Sequence, residues 1–171
     1  MLEKIKNNYI FLIIIIFIFS RILYYLFGIR FEGEPHYWQI LPLDFLKNDL
    51  LNSLLYNFSQ PPFLNFIYGI AIKITNTSPE LAYLGNGKYL YILHFTYLFF
   101  GLVSFLHLYN ISITFLKEQK AFFLISFLMI MPLTILWENH GYKDYLTMCF
   151  LISSINYSLV IIKNNSFKNY F

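Results

Sequence analysis

Apolar residues gather into four long runs, at residues 9–29, 89–113, 121–137 and 145–162. The first is broken only by Ser20 and Arg21. A helix needs about 20 apolar residues to cross about 30 Å of hydrocarbon, so each run is predicted to be a membrane-spanning helix. The third is short and carries Pro132, which a membrane helix accommodates as a kink. A fifth apolar stretch, residues 63–74, reaches only about 18 Å as a helix and is predicted not to cross.

Between the first two runs, residues 30–88 form a long polar segment with its own periodicity. Leu43, Leu46, Leu50, Leu54 and Phe58 recur at helical spacing, with Asp44, Lys47, Asn48, Asn52 and Ser53 opposite them. Pro61-Pro62 then suits the opening of a second helix, since proline is tolerated in a first turn. Its expected apolar face is Phe63, Phe66, Ile67, Ile70 and Ile74. Both helices are expected to lie in the membrane surface. Gly85-Asn86-Gly87 reads as a turn before the second span. The expected fold is therefore an all-α integral membrane protein forming one domain over residues 1–171, with about four spans and two juxtamembrane amphipathic helices.

Composition strengthens this reading. The chain is 58% hydrophobic and 12% charged, where a soluble domain has about 25% charged residues. That leaves too little polar surface to cover a water-soluble core. The net charge of +3 has no clustered basic face, which argues against nucleic acid as a partner. A single cysteine, Cys149, rules out an intrachain disulfide and a Cys-based zinc site, and a buried inert thiol is expected.

Charge also sets direction. With four spans, Lys4 and Lys6, Lys117 and Lys120, and Lys163 and Lys168 all fall on one side of the membrane. Five spans would place the last two groups outside. Both termini are thus expected in the cytoplasm and the protein in the cytoplasmic (inner) membrane. No small-residue cleavage site follows the first run, so it is read as a retained signal anchor.

The two external segments are the only places where several titratable groups can converge. Glu32, Glu34, Asp44 and Asp49 lie in the first, with His36 among them. Glu138, His140, Lys143 and Asp144 lie in the second. A carboxylate there can act as a base toward a hydroxyl or hold a divalent metal ion, and solvated loop polarity is the plainer alternative. Arg21 lies within a span, where a charge costs about 2.5–3.5 kcal/mol. Either it snorkels, or it faces the bundle and holds a lipid phosphate or a carboxylate. His94 and His107 are read as helix-packing residues, and Trp137 with Glu138 as an aromatic belt beside a solvated charge.

Gly28-Ile29-Arg30-Phe31-Glu32, Tyr37-Trp38-Gln39, Leu50-Leu51-Asn52-Ser53-Leu54 and Ser59-Gln60-Pro61-Pro62-Phe63-Leu64-Asn65 occur in that order. The chain resembles the amino-terminal part of the GT-C class of multi-pass glycosyltransferases, the group of protein O-mannosyltransferase-like and aminoarabinose-transferase-like enzymes. Tyr142-Lys143-Asp144-Tyr145, following Pro132, is similar to the acidic position these enzymes place before their fourth span. The resemblance implies transfer of a sugar from a polyprenyl-phosphate donor to an acceptor on the external face. It implies catalytic carboxylates at Glu32, with Glu34 as the alternative, and at Asp144. Arg21 or Arg30 would neutralise the donor phosphate, while Gln60, Pro61 and Pro62 would shape the lipid-donor side of the cleft. A divalent metal is a possible cofactor in this scheme. At the first-loop position the family commonly carries Asp, where this chain has Glu32, and Phe58 stands where relatives often have His.

Such enzymes usually have eight or more spans, so the chain is expected to be a part of a larger domain. The alternative reading is a non-enzymatic membrane interaction or assembly subunit whose surface helices dock a partner or the bilayer. A small transporter is a third, suggested only by Arg21.

Overall fold

The protein is described here by a computed structural model, which covers residues 2–32, 41–56, 62–140 and 143–163. Among these residues there are helices and connecting turns but no strand. In chain order the helices are α1 (Leu2–Leu26), α2 (Leu43–Asn48), α3 (Leu50–Tyr56), α4 (Pro62–Thr75), α5 (Pro79–Tyr83), α6 (Tyr89–Ser112), α7 (Glu118–Ile130), α8 (Pro132–Asn139) and α9 (Lys143–Lys163). They group into two compact units whose boundaries fall within α6 and near the end of α8.

The first unit contains α1, the later part of α6, α7, α8 and nearly all of α9. Three helices, α1, α6 and α9, are long and apolar enough to cross a membrane, and a fourth crossing exists if α7 and α8 form one span. Only 17% of the apolar stretch of α1 and 22% of that of α9 is buried within the protein, so most of their side chains face outward. Phe11 and Phe19 of α1, Phe99 of α6, and Phe123 and Phe127 of α7 are exposed, as are Phe150 and Leu151 of α9. An exposed apolar surface of this extent suits hydrocarbon rather than water.

The first span ends earlier than residue 29. Gly28 adopts φ +90°, and the Gly28 and Ile29 N–H groups donate back to the Tyr25 and Tyr24 carbonyls. This pairing satisfies the last carbonyls of α1 and stops the helix at Leu26. In the third expected span, Pro132 does more than kink. It separates α7 from α8 with a bend of 54°. At 13 and 8 residues, the two pieces are about 20 Å and about 12 Å long, and neither crosses alone. Proline has no N–H, so it opens α8 where a first-turn donor would in any case be unpaired. Asp144 in the first turn of α9 and Lys163 in its last complement the helix dipole.

The second unit comprises residues 31–98 and 139–143. The leucine repeat expected to form one helix is split at Asp49, whose φ of −140° and ψ of 70° lie outside the helical region. The Asp49 carboxylate instead accepts from the Asn52 side chain at 2.7 Å. Aspartate competes for local hydrogen bonds in this way and favours helix ends. Leu43, Leu46 and Leu50 are nevertheless buried together across the break, while Phe58 lies outside the described residues.

The expected face of α4 is also corrected. The buried residues are Leu64, Asn65, Ile67, Tyr68, Gly69, Ala71 and Ile72, whereas Phe63, Phe66 and Ile74 are exposed. Selection falls on the stripe with small residues, because α2 and α3 approach closely there. A Cβ on Gly69 would collide with the Leu50 side chain and lie 3.4 Å from the Leu46 carbonyl oxygen. Tyr68 is buried with its ring centroid 6.3 Å from that of Tyr89. Burial, with Tyr89 as a second cause, pushes its hydroxyl far above its ordinary pKa and keeps it neutral.

One helix, α5, goes beyond the expected pair, although Thr77-Ser78-Pro79-Glu80 carries its signal. Ser78 caps it by accepting from the Leu81 N–H, and Pro79 occupies its first turn. From α5, the Tyr83 hydroxyl accepts the Leu43 N–H at 2.8 Å, a donor that the preceding Pro42 has no side-chain oxygen to cap. The Asn65 side chain likewise accepts the Leu41 N–H at 2.7 Å. Tyr83→Phe is expected to destabilise this unit by about 1–2 kcal/mol by orphaning that donor, read as faster amide exchange at the start of α2. Unchanged exchange there would remove Tyr83 as its cap. The Gly85-Asn86-Gly87 turn is present, with φ of +64° and +132° at its two glycines.

Candidate functional site

Two polar constellations emerge, one in each unit. In the second unit, Phe31 anchors the chain just after α1. Its ring stacks on His94 with centroids 5.0 Å apart and planes 15° apart, and lies 5.5 Å from the Tyr97 ring. This fixes the neighbouring Glu32. The Glu32 N–H donates to the Asn139 carbonyl at 2.7 Å, and its carboxylate lies 2.9 Å from Nδ1 of His140. The Glu32 side chain is 67% exposed and that of His140 40%, so the pair is accessible to a ligand. Residues from the two segments expected to be external thus meet, as a shared site requires.

In the first unit, Arg21 is the centre of a buried network. Its Nη2 and Nε donate to the two carboxylate oxygens of Glu138 at 2.8 and 3.1 Å. Its Nη1 donates to the Met129 carbonyl and to Ser20 Oγ, both at 2.9 Å. The guanidinium also lies 3.9 Å from the centroid of the Phe17 ring. Glu138 is fully buried and accepts a further hydrogen bond from the Tyr145 hydroxyl at 2.8 Å. Of the readings open for Arg21, the structure displays the carboxylate partner. Glu138 is accordingly not a solvated belt charge.

The network also resolves the backbone at the Pro132 break. A helix end leaves its last carbonyls without intrahelical donors. Arg21 satisfies Met129, and the Tyr24 hydroxyl donates to the Ile130 carbonyl at 2.9 Å. Two side chains of α1 therefore cap the end of α7. Gly101 of α6 leaves room for this arrangement. A Cβ there would collide with the Tyr145 hydroxyl and come within 3.1 Å of Glu138 Oε2.

Arg30 is exposed, with its guanidinium 5.4 Å from the Tyr25 ring centroid. Asp144 is exposed in the first turn of α9. Pro62 opens α4 as expected. Glu34, Gln60 and Pro61 lie outside the described residues. His107 lies 2.7 Å from the Asn156 amide, linking α6 to α9, and Cys149 is buried. Both match their structural readings.

No group of three or more His, Cys, Asp or Glu side chains among the described residues is placed to hold a metal ion. A carboxylate beside an imidazole is equipped for acid–base chemistry.

His140 had no distinguishing signal in the sequence. Glu138 had one: a buried arginine in an apolar run calls for a counter-charge. The chain matches no protein-family model, curated protein or solved structure.

Proposed function

We propose that the protein is a multi-pass membrane glycosyltransferase of GT-C type, transferring a sugar from a polyprenyl-phosphate donor to an acceptor hydroxyl on the external face. The observation that carries this reading is the accessible Glu32 carboxylate, anchored just beyond α1 and paired with His140 at 2.9 Å. It occupies the position at which the resemblance calls for a catalytic acid. In the reaction the acceptor oxygen attacks the anomeric carbon, and the bond from that carbon to the phosphate oxygen breaks. The phosphate leaves with the electron pair, and the hydroxyl proton is removed at Glu32 and its partner.

The proposed topology has four crossings, with α7 and α8 together as the third. Tyr9 lies beside Phe122 with ring centroids 5.1 Å apart, and the Tyr24 hydroxyl donates to the Ile130 carbonyl. These contacts run α7 in the same direction as α1. Both then travel outward, leaving Lys117, Lys120 and Lys163 on the inner side. Exposed Phe45, Leu51 and Leu55 give the second unit an apolar surface suited to the outer bilayer boundary.

The test uses membranes containing the full chain and a panel of polyprenyl-phosphate-linked sugars, including mannose and aminoarabinose. Glu32→Gln is expected to lower transfer by about 100-fold or more, the scale of a lost acid–base group. Membrane fractionation should be unchanged. Wild-type transfer by this variant would remove Glu32 from the reaction.

A further inference from the structure

We propose that α6 and α9 hold the headgroup of an anionic phospholipid, one that carries hydroxyls beyond its phosphate, in a cavity between their C-terminal ends. This rests on the membrane placement proposed above and not on the transfer reaction. The cavity has a volume of about 270 Å³ and lies wholly within the first unit. Asn110 and Thr114 border it from the end of α6 and the turn that follows, and Asn156, Leu159, Val160 and Lys163 border it from α9. In the proposed topology both helix ends lie on the inner side, at the level of the cytoplasmic headgroups.

Two groups in its wall call for a ligand. Lys163 is exposed in the last turn of α9 and forms no salt bridge among the described residues. A lysine there complements the dipole of its own helix, which accounts for its charge but not for the cavity beside it. Asn110 is the second group. Its Oδ1 is buried with no hydrogen-bond partner among the described residues, a costly state that a donor relieves. The Asn156 amide, 2.7 Å from His107, is already engaged and serves as wall. One ligand therefore has to bring an anion to Lys163 and a hydrogen-bond donor to Asn110. A headgroup of the phosphatidylglycerol type does both, with its phosphate at Lys163 and a hydroxyl at Asn110. Leu159 and Val160 supply apolar lining for the start of the acyl chains. Basic pockets between membrane helices on the cytoplasmic side take anionic headgroups in this way.

The experiment titrates the full chain, purified in detergent, with phosphatidylglycerol and counts bound lipid by native mass spectrometry. Lys163→Gln is expected to weaken binding about tenfold or more, the scale of a charge-assisted hydrogen bond, while Lys163→Arg keeps it within about threefold. Asn110→Leu should weaken it by about three- to tenfold. Phosphatidylcholine, which has the phosphate but no donor in its headgroup, should bind about tenfold more weakly than phosphatidylglycerol. Lys117→Gln removes the same charge outside the cavity wall and should leave binding unchanged. Equal losses in the two glutamine variants, or equal binding of the two lipids, overturn the site. Displacement of the lipid by inorganic phosphate at equal concentration overturns the lipid as ligand and makes free phosphate the occupant. Release of the chain from membranes by alkaline carbonate overturns the membrane placement itself, and the lipid site with it.

Discussion

Arg21→Met is expected to destabilise the protein by about 3–5 kcal/mol, the range for removing one member of a buried ion pair. The variant leaves the fully buried Glu138 carboxylate without its counter-charge, still accepting from the Tyr145 hydroxyl. It also strips the Met129 carbonyl of the hydrogen bond that caps α7. Glu138→Leu should cost a similar amount by stranding the guanidinium. The combined Arg21→Met and Glu138→Leu variant should recover most of the loss, because matched apolar residues replace a buried pair at little net cost. What remains is the uncapped carbonyl, about 1–3 kcal/mol. Unfolding in detergent followed by circular dichroism measures all three. A double variant as unstable as the sum of the singles would show that the pair itself contributes nothing.

Gly101→Ala carries the second large effect. The added methyl meets the Tyr145 hydroxyl and crowds Glu138 Oε2, so Tyr145 must leave its hydrogen bond or α6 must move away. Overpacking a filled interior costs about 1–3 kcal/mol, and separating Tyr145 from a buried carboxylate adds about 1–3 kcal/mol. Combining it with Tyr145→Phe separates the two contributions. Removing the hydroxyl opens the space the methyl needs, so the second change should cost less beside Gly101→Ala than alone. Strict additivity in the same unfolding assay would mean that the glycine is not there to admit Tyr145.

The long apolar runs were legible because length and hydropathy alone determine whether a helix can span hydrocarbon. The turn at Gly85-Asn86-Gly87 and the opening of α4 at Pro62 were legible for a local reason, backbone freedom in one case and backbone restriction in the other. Periodicity failed where tertiary packing chose between faces. In α4 the bulky Phe63 and Phe66 matched the apolar template, yet close approach to α2 and α3 favours the stripe containing Gly69 and Ala71. In α2–α3 the spacing of leucines survived, but Asp49 diverted the backbone between them. The polar pairs were the least legible. Arg21 announced that it needed a partner, but Glu138 is distant in sequence and apolar context could not select it. The meeting of Glu32 and His140 depends on the path of α8 after the Pro132 bend, which no local pattern encodes.

The capping of α7 by α1 bears on the order in which the protein is built. If these helices cross a bilayer as proposed, α7 ends inside hydrocarbon with bare carbonyls at Met129 and Ile130, and neither water nor lipid tails can satisfy them. The donors that do so, Arg21 and Tyr24, emerge from the ribosome long before Pro132. In that proposed arrangement the first helix is both a membrane anchor and a template that waits for a later segment. Cutting it away after insertion, as a leader peptide is cut, would leave the broken helix without the groups that make its break tolerable.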